Sequence, residues 1–176
     1  MILKKRNGGE SWIVYTAPTG NSAALYLSST AALETSGGAG YFNNTTPTAT
    51  QFTVGNYTSV NSGNMIAYLF ATLAGVSKVG SFTGNGSTQT INCGFGAGGA
   101  RFVFIKRTDS SGAWYVYDTA RGMTTLTNPY LRFNNPAGES ATLGSVTTVS
   151  TGFALNSTIL ADINISGGTY IFLAIA

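Results

Sequence analysis

The sequence predicts an all-β fold: an antiparallel, jelly-roll-like β-sandwich built from two internally repeated units of four or five strands. Helical periodicity is nearly absent. Short segments rich in β-branched and aromatic residues alternate with stretches of Gly, Ser, Asn and Thr, a pattern typical of strands separated by turns. Four blocks of sequence also recur in the same order, which indicates two copies of one structural unit.

The predicted strands follow this alternation along the whole chain. They are assigned to 2–6, 11–16, 24–28, 51–54, 65–74, 78–83, 88–93, 102–107, 114–118, 130–134, 152–155 and 169–176. The stretches "NGGE", "GNGS", "DSSG" and "ISGG" between them carry Gly or Asn, the residues that most readily adopt positive φ. Only "STAALET" (29–35) is mildly helical in pattern.

The repeat equates blocks from the two halves of the chain. "KKRNGGESWIVY" (4–15) matches "IKRTDSSGAWYVY" (105–117), and "NSGNMIAYLFA" (61–71) matches "ISGGTYIFLAIA" (165–176). "YLSSTAALE" (26–34) and "ATQFTVG" (49–55) match "YLRFNNPAGE" (130–139) and "VSTGFALN" (149–156). The equivalent pairs are Trp12 with Trp114, Glu34 with Glu139, and Gly63 with Gly167.

These matches divide the chain into a first repeat, a connection and a second repeat. The first repeat spans 1–74, and the second spans 102–176. The segment 75–101 is predicted to form a hairpin followed by a Gly-rich crossover. We expect the two repeats to pack on one core as a single compact domain.

Composition excludes several classes of protein. Of 176 residues, 43% are hydrophobic and only 9% are charged, far below the roughly 25% of a typical globular domain. The chain is too aromatic to be disordered, and its surface must be made largely of Ser, Thr, Asn and Gly, which suits an assembly or an extracellular setting. The net charge is +3, but the basic residues are scattered apart from Lys4-Lys5-Arg6 and Lys106-Arg107, so no nucleic-acid partner is predicted.

No membrane segment or signal peptide is predicted. The apolar run at 65–71 is far shorter than the roughly 18 residues that span a bilayer, and "MILKKR" lacks a following apolar stretch. Cys93 is the single cysteine, which rules out an internal disulfide and favours a buried apolar role.

Catalytic and metal-binding patterns are weak. The chain has no histidine, which removes the usual general base and the commonest zinc ligand. Glu34 and Glu139 could form a carboxylate pair for glycoside hydrolysis, but capping of a turn or pairing with Lys5 or Lys106 at a sheet edge explains them more simply. A calcium site would draw on Asp109, Asp118 or Asp162, but the spacing of acidic residues is not that of a calcium loop. The Gly-rich stretch "GFGAGGA" (94–100) precedes a predicted strand, whereas a dinucleotide-binding loop precedes a helix. We therefore predict no catalytic residue, no metal and no cofactor.

The aromatic residues of 114–118 divide between the two faces of a strand. Alternation places Trp114 with Val116 and Tyr115 with Tyr117. Because Trp12 and Trp114 recur, we expect them in the core, as hallmarks of the repeat. Tyr115 and Tyr117 are then the candidates for an exposed surface that contacts a ligand or host.

The charged residues of 106–118 are interpreted as structural. Lys-Arg, the tryptophan and Glu34/Glu139 recur, whereas Asp109 and Asp118 do not. We expect Lys106, Arg107, Asp109 and Asp118 to hold a strand end and hairpin by local hydrogen bonds and ion pairs.

The last strand predicts an oligomer contact. "YIFLAIA" (170–176) is apolar on both faces, and this apolar surface is larger than a single small sheet can easily cover. The low net charge of the chain also offers little repulsion between copies. We therefore expect a homotrimer with Tyr170, Phe172 and Ile175 at or near the contact.

The chain resembles a repeated module of tail-fibre-like and other virion structural proteins of marine and cyanobacterial tailed phages. The resemblance rests on "IKRTDSSGAWYVYDTARG", "YLRFNN…ES", "STGFALN", "GGTYIFLAIA" and the preceding "SKVGSFTGNGS", and it covers nearly the whole chain. The positions that match the module are Lys106, Arg107, Asp109, Trp114, Asp118, Tyr130 and Gly168. The first copy departs from it, with Asn7 where the module has Asp and "NMIAY" in place of "GTYIF".

The resemblance implies a location on the exterior of a phage particle, among other virion proteins. Two functions follow: an adhesion module of a tail fibre or appendage that contacts a glycan or protein of the host surface, or a small decoration protein that locks capsid or tail neighbours together. A third interpretation is a carbohydrate-binding module of a bacterial surface protein.

Overall fold

The computed structural model describes residues 1–123, 127–143, 145–156 and 162–176. The chain divides into two compact units, Met1–Phe70 (unit 1) and Ala71–Ala176 (unit 2). The division falls within the segment 65–74, which the sequence predicted as one strand. Each unit contains its own cluster of buried hydrophobic residues, and the expectation of a single compact domain stays a prediction.

The elements of the described residues are almost all strands, which confirms the predicted all-β class. One short helix, α1, covers Ala39–Phe42, and Ala17–Thr19 forms a 3-10 turn. In unit 1 the strands are β1 (Ile2–Lys5), β2 (Ile13–Val14), β3 (Leu25–Tyr26) and β4 (Met65–Tyr68). In unit 2 they are β5 (Ser77–Thr83), β6 (Gln89–Asn92), β7 (Phe102–Arg107), β8 (Trp114–Asp118), β9 (Thr127–Arg132), β10 (Ser140–Leu143), β11 (Val146–Val149), β12 (Gly152–Leu155) and β13 (Thr169–Ile175).

Unit 1 is an antiparallel sheet, in the order β3-β2-β1-β4, with one face covered by an irregular segment. Leu3, Ile13 and Tyr15 project from the covered face and pack against Tyr41 and Phe42 of α1. The covering segment folds back on itself closely: a Cβ on residue 55 would lie 2.1 Å from the carbonyl oxygen of Ala39, so only glycine fits there.

Unit 2 is a β-sandwich of two antiparallel sheets. The larger has the order β10-β9-β8-β7-β13-β5, and the smaller has the order β11-β12-β6. Their inner faces share one hydrophobic cluster, in which the rings of Phe153 and Phe172 lie 5.3 Å apart, edge to face. Burial of such aromatic side chains is the main stabilising contribution of a sandwich core.

The repeat is visible in the strand order. The unit 1 order β3-β2-β1-β4 recurs in unit 2 as β9-β8-β7-β13, with β5 and β10 added at the two edges. Gly63 and Gly167, equated from sequence, both have left-handed φ, 64° and 80°, a conformation that favours glycine. Each precedes the last strand of its copy, β4 or β13.

Several sequence-based assignments were wrong. The segment 75–101 is not a hairpin, because β5 pairs with β13 and β6 pairs with β12 of the other sheet. The structure has no helix at 29–35, where Glu34 instead forms a bridge with Ala24, and no strand at 51–54. The sequence also missed β10 and β11.

Candidate functional site

Two equivalent hairpins carry the residues that the repeat singled out. The first hairpin (residues 2–14) joins β1 to β2, and the second (residues 102–118) joins β7 to β8. Lys106 lies directly opposite Trp114, and continuing the β1–β2 register places Lys4 opposite Trp12. In both hairpins the lysine Nζ lies 6.0 Å from the centre of the indole ring, a cation–π geometry.

This register corrects the sequence alignment by one residue. The sequence matched Lys5 with Lys106, but Lys4 occupies the equivalent place, so Lys5 corresponds to Arg107. Each lysine also faces an isoleucine of the last strand of its copy, Ile66 or Ile171.

The same register equates Asn7 and Thr16 with the two acids Asp109 and Asp118. The signal was present in the sequence, because Lys4 to Trp12 and Lys106 to Trp114 have equal spacing.

The second hairpin is buried and charge-balanced. Trp114 is 2% exposed, and Lys106 is fully buried. Trp114 packs on Phe104 with ring centres 5.0 Å apart. The Lys106 Nζ donates to the carbonyl oxygen of Arg107 at 2.8 Å. Burial, with the neighbouring charge of Arg107, lowers the pKa of Lys106 to about 8. The prediction that Trp114 is buried is confirmed.

Arg107 and Asp109 form a two-point ion pair at the end of the second hairpin. The Nη2–Oδ2 and Nε–Oδ1 distances are 2.8 and 3.0 Å. Asp109 also accepts the backbone N–H of Thr169 at 2.9 Å, which fixes the end of β7 to the start of β13. The hydrogen bonds from Arg107 hold the pKa of Asp109 well below its ordinary value.

Asp118 stabilises the turn that follows β8. It accepts the backbone N–H of Arg121 at 2.9 Å and pairs with the guanidinium of the same residue. Arg121 Nε in turn lies 3.5 Å from Glu139 Oε2. These acids are therefore structural, as the sequence suggested.

The first hairpin has an open, basic surface. The Lys4 Nζ donates to the carbonyl oxygens of Gly8 and Glu10, at 3.1 and 2.6 Å, and so holds the hairpin loop. Lys5 and Arg6 form no ion pair with any residue that the structure describes, and Arg6 is exposed. The cations of this hairpin are not neutralised by neighbouring acids as Arg107 and Arg121 are.

Trp12 is partly exposed and pairs with a second aromatic residue. Its ring centre lies 6.2 Å from that of Tyr68, with the two planes 20° apart. Tyr68, on the edge strand β4, is 43% exposed. The expectation that both tryptophans lie in the core therefore holds for Trp114 and is wrong for Trp12. We call the surface formed by Lys4, Arg6, Trp12 and Tyr68 the Trp12–Tyr68 face.

A family model described as a domain of unknown function, DUF7483, matches residues 1–176. The chain belongs to the DUF7483 family. The match includes both hairpins and both units. No curated protein and no solved structure matches the chain.

In this DUF7483 chain, Tyr115 and Tyr117 are not an exposed contact surface. Both lie in the unit 2 core, 3% and 0% exposed, in a group with Tyr130 whose ring centres are 5.3 to 6.5 Å apart. Alternation assigned their face correctly, but the smaller sheet covers that face. The hydroxyl of Tyr115 donates to Asp162 Oδ2 at 3.0 Å, which uses one of the acids considered for calcium.

Tyr170 and Phe172 are also core residues. They are 0% and 5% exposed, and Tyr170 stacks on Phe82 with ring centres 4.9 Å apart. Their assignment to an oligomer contact is wrong, because β13 lies between β5 and β7 and beneath the smaller sheet. Ile175 is only half-buried, so its assignment stays a prediction.

The two repeated glutamates each have local partners. The Glu34 Oε1 accepts the backbone N–H and the hydroxyl of Ser36, both at 2.5 Å, and these hydrogen bonds lower its pKa. Glu139 contacts Arg121. Turn capping therefore describes Glu34, whereas the ion-pair partner of Glu139 is Arg121 and not the predicted Lys5 or Lys106.

The remaining candidates are a metal site, Cys93 and a membrane-spanning segment. Among the described residues there is no group of three or more His, Cys, Asp or Glu side chains that could hold a metal ion. Cys93 is buried, and burial raises its pKa to about 11. No helix in the described part of the chain is long and apolar enough to span a membrane.

Proposed function

We propose that this chain is a non-enzymatic adhesion module of a tailed-phage virion, in the outer part of a tail fibre or appendage that contacts the host surface. The observation that carries the adhesive role is the Trp12–Tyr68 face, where a near-parallel aromatic pair is partly exposed and the exposed Arg6, in the turn after β1, forms no ion pair with any described residue. Exposed aromatic residues beside unneutralised charge are typical of binding surfaces. The virion setting rests on the resemblance of the sequence blocks.

The two copies of the repeat would then have different roles. The second hairpin contributes to a sandwich core through Tyr115 and Tyr117, and its charges are used in local pairs. The first hairpin exposes Arg6 and leaves Trp12 partly accessible to solvent. A rigid support with a small exposed aromatic cluster suits a contact that must form without large rearrangement.

Adsorption of labelled chain to whole bacterial cells tests the adhesive role. We expect saturable binding to a subset of strains that Tyr68→Ala weakens and Phe133→Ala does not. Phe133 is the matched control because it is 62% exposed and lies in unit 2. Equal binding to all strains, unaffected by either substitution, would contradict the proposal.

A decoration protein is the second candidate, and one surface favours it. Leu73 and Val76 are 59% and 50% exposed in the turn before β5, an edge strand, and Ile175 of the adjoining β13 is half-buried. These apolar residues could meet a second copy, in keeping with the proposed homotrimer. Copy number per virion, measured by quantitative mass spectrometry, separates the roles: hundreds of copies indicate decoration, and a small multiple of three indicates an appendage.

Light scattering of the purified chain tests the trimer separately. We expect three times the chain mass of 18.2 kDa for the wild type, and dissociation on Leu73→Glu. A stable monomer at micromolar concentration would contradict the trimer without affecting the adhesive role. A carbohydrate-binding module of a bacterial surface protein would use the same face but would be absent from purified virions.

A further inference from the structure

We infer that the Trp12–Tyr68 face binds an acidic polysaccharide, with Arg6 contacting the anionic group and the Trp12–Tyr68 pair contacting the apolar face of a sugar ring. This inference rests on the proposed adhesive function and names its ligand class.

The backbone register brings these residues to one face of unit 1. Leu3 and Ile13 pair with each other and point into the hydrophobic cluster, so their neighbours Lys4 and Trp12 lie on the opposite face. Ala67 pairs with Leu3, which places Tyr68 on the same face as Trp12. The backbone N–H of Arg6 donates to Asn64 at 2.8 Å and continues the pairing of β1 with β4.

The charge of this face favours an anion. Lys4, Lys5 and Arg6 are consecutive at the end of β1, and Glu10 is the only acid between Lys4 and Trp12. In the second hairpin, Asp109 neutralises Arg107; the equivalent position here holds Asn7, whose side chain lies beside that of Lys5 near Gly63.

Lys4 is already used by two carbonyl oxygens of its own loop. Lys5 is partly buried whereas Arg6 is exposed, so Arg6 is the most accessible donor, and a guanidinium binds carboxylate or phosphate oxygens in a two-point geometry.

The aromatic pair favours a saccharide over other polyanions. One face of a pyranose is lined by C–H groups, which pack on the electron-rich face of an aromatic ring, while its hydroxyls remain hydrated. Trp12, next to β2, and Tyr68, on the edge strand β4, offer two nearly parallel rings on one face of the sheet. Nucleic acid is a poorer match, because nonspecific binding to it depends on contacts with many phosphates along a basic surface.

Isothermal titration with polygalacturonate and with its methyl-esterified form tests the inference. The two polymers share the same ring, and esterification adds a methyl group and removes the negative charge of the carboxyl group. We expect the wild-type chain to bind polygalacturonate at least about tenfold more tightly than the ester, because hydrogen bonds to charged groups contribute more than neutral ones. The difference should shrink as salt screens the contact.

Two variants and their matched controls assign the contact to residues. Arg6→Gln should weaken binding of polygalacturonate about tenfold and leave binding of the ester unchanged. Tyr68→Ala should weaken both polymers. Arg101→Gln, an exposed arginine in unit 2, and Phe133→Ala should have no effect.

The outcomes separate this inference from the proposed function. Equal affinity for the two polymers, or insensitivity to Arg6→Gln with loss on Tyr68→Ala, overturns the acidic ligand and leaves adhesion standing. Tighter binding to a single-stranded oligonucleotide or to phosphatidylserine vesicles than to polygalacturonate also overturns it. If the chain binds neither polymer nor any cells, both proposals fail.

Discussion

The first and second hairpins share a lysine–tryptophan pair, its spacing and its place in the sheet, but they differ in exposure and in charge balance. In the second, Trp114 is 2% exposed and Arg107 is paired with Asp109. In the first, Trp12 lies partly exposed beside Tyr68, and Arg6 has no ionic partner among the described residues. Two positions account for the difference in charge balance between the hairpins. The first copy of the repeat has the neutral residues Asn7 and Thr16 at the positions that Asp109 and Asp118 occupy in the second.

This contrast shows how a duplicated unit can separate stability from binding. Once one copy supplies a well-packed sandwich, the other can leave an aromatic residue and its cations accessible at modest cost, because natural proteins need only a few kcal/mol of net stability. The cation–π pair common to both hairpins fixes the lysine in each case. Its surroundings then decide whether the pair is part of the interior or of a surface.

The largest difference between the hairpins should appear in stability. We expect Trp114→Ala to lower the free energy of unfolding by about 3–5 kcal/mol, the range for a buried tryptophan. Trp12→Ala removes a partly exposed ring and should cost only about 1–1.5 kcal/mol. Urea denaturation followed by circular dichroism measures both free energies of unfolding. Equal losses for the two variants would contradict the claim that the two tryptophans differ in burial.

The buried lysine should give the second hairpin a distinctive pH dependence. The pKa of Lys106 is lowered to about 8 from its ordinary 10.5, so between these values the unfolded chain binds more protons than the folded chain. Lys106 therefore makes the free energy of unfolding rise with pH across this window. The stability difference between wild type and Lys106→Met should shift in favour of the wild type from pH 8 to pH 10.5.

Denaturation at the two ends of this window, at low and high salt, measures the effect. The shift arises mainly from burial and should persist at high salt. A difference that does not change with pH would show that Lys106 is hydrated in the folded chain.

The smallest effect should come from exchanging the acids of the two hairpins. Asp109→Asn breaks an ion pair at the hairpin end whose side chains are only partly exposed, and it should cost about 0.2–1 kcal/mol. Because the pKa of Asp109 is lowered, its contribution is present above about pH 4 and is lost as pH falls further, so wild type and variant should converge in acid. The converse change, Asn7→Asp, should leave stability nearly unchanged but weaken binding of polygalacturonate.

Much of the fold could be predicted from the sequence, because alternation and repetition are local signals. The strands Phe102–Arg107, Trp114–Asp118 and Gly152–Leu155 match their predictions in full. The segment 75–101 was misassigned, because neighbouring strands in the sequence usually pair, whereas β5 and β6 each pair with a distant partner. The covering layer of unit 1 has no regular periodicity and gave no usable pattern.

The candidate site was less predictable from the sequence. Alternation shows which residues share a face of a strand, but it does not show which of the two faces a second layer covers. It separated Tyr115 and Tyr117 from Trp114 correctly, but the smaller sheet of unit 2 lies over the tyrosines. The exposure of Trp12 could not be read from a repeat that makes it equivalent to Trp114. Counting the residues between lysine and tryptophan would have revealed the register and the missing acids.

Iodide quenching of tryptophan fluorescence tests the contrast between the hairpins most directly. The chain has only two tryptophans, one in each hairpin, so Trp114→Phe reports on Trp12 alone and Trp12→Phe reports on Trp114 alone. Iodide is an anion that the basic first hairpin should attract. We predict strong quenching of Trp12 that salt reduces and polygalacturonate blocks, with little quenching of Trp114. Equal quenching of the two residues, or stronger quenching of Trp114, would contradict the account.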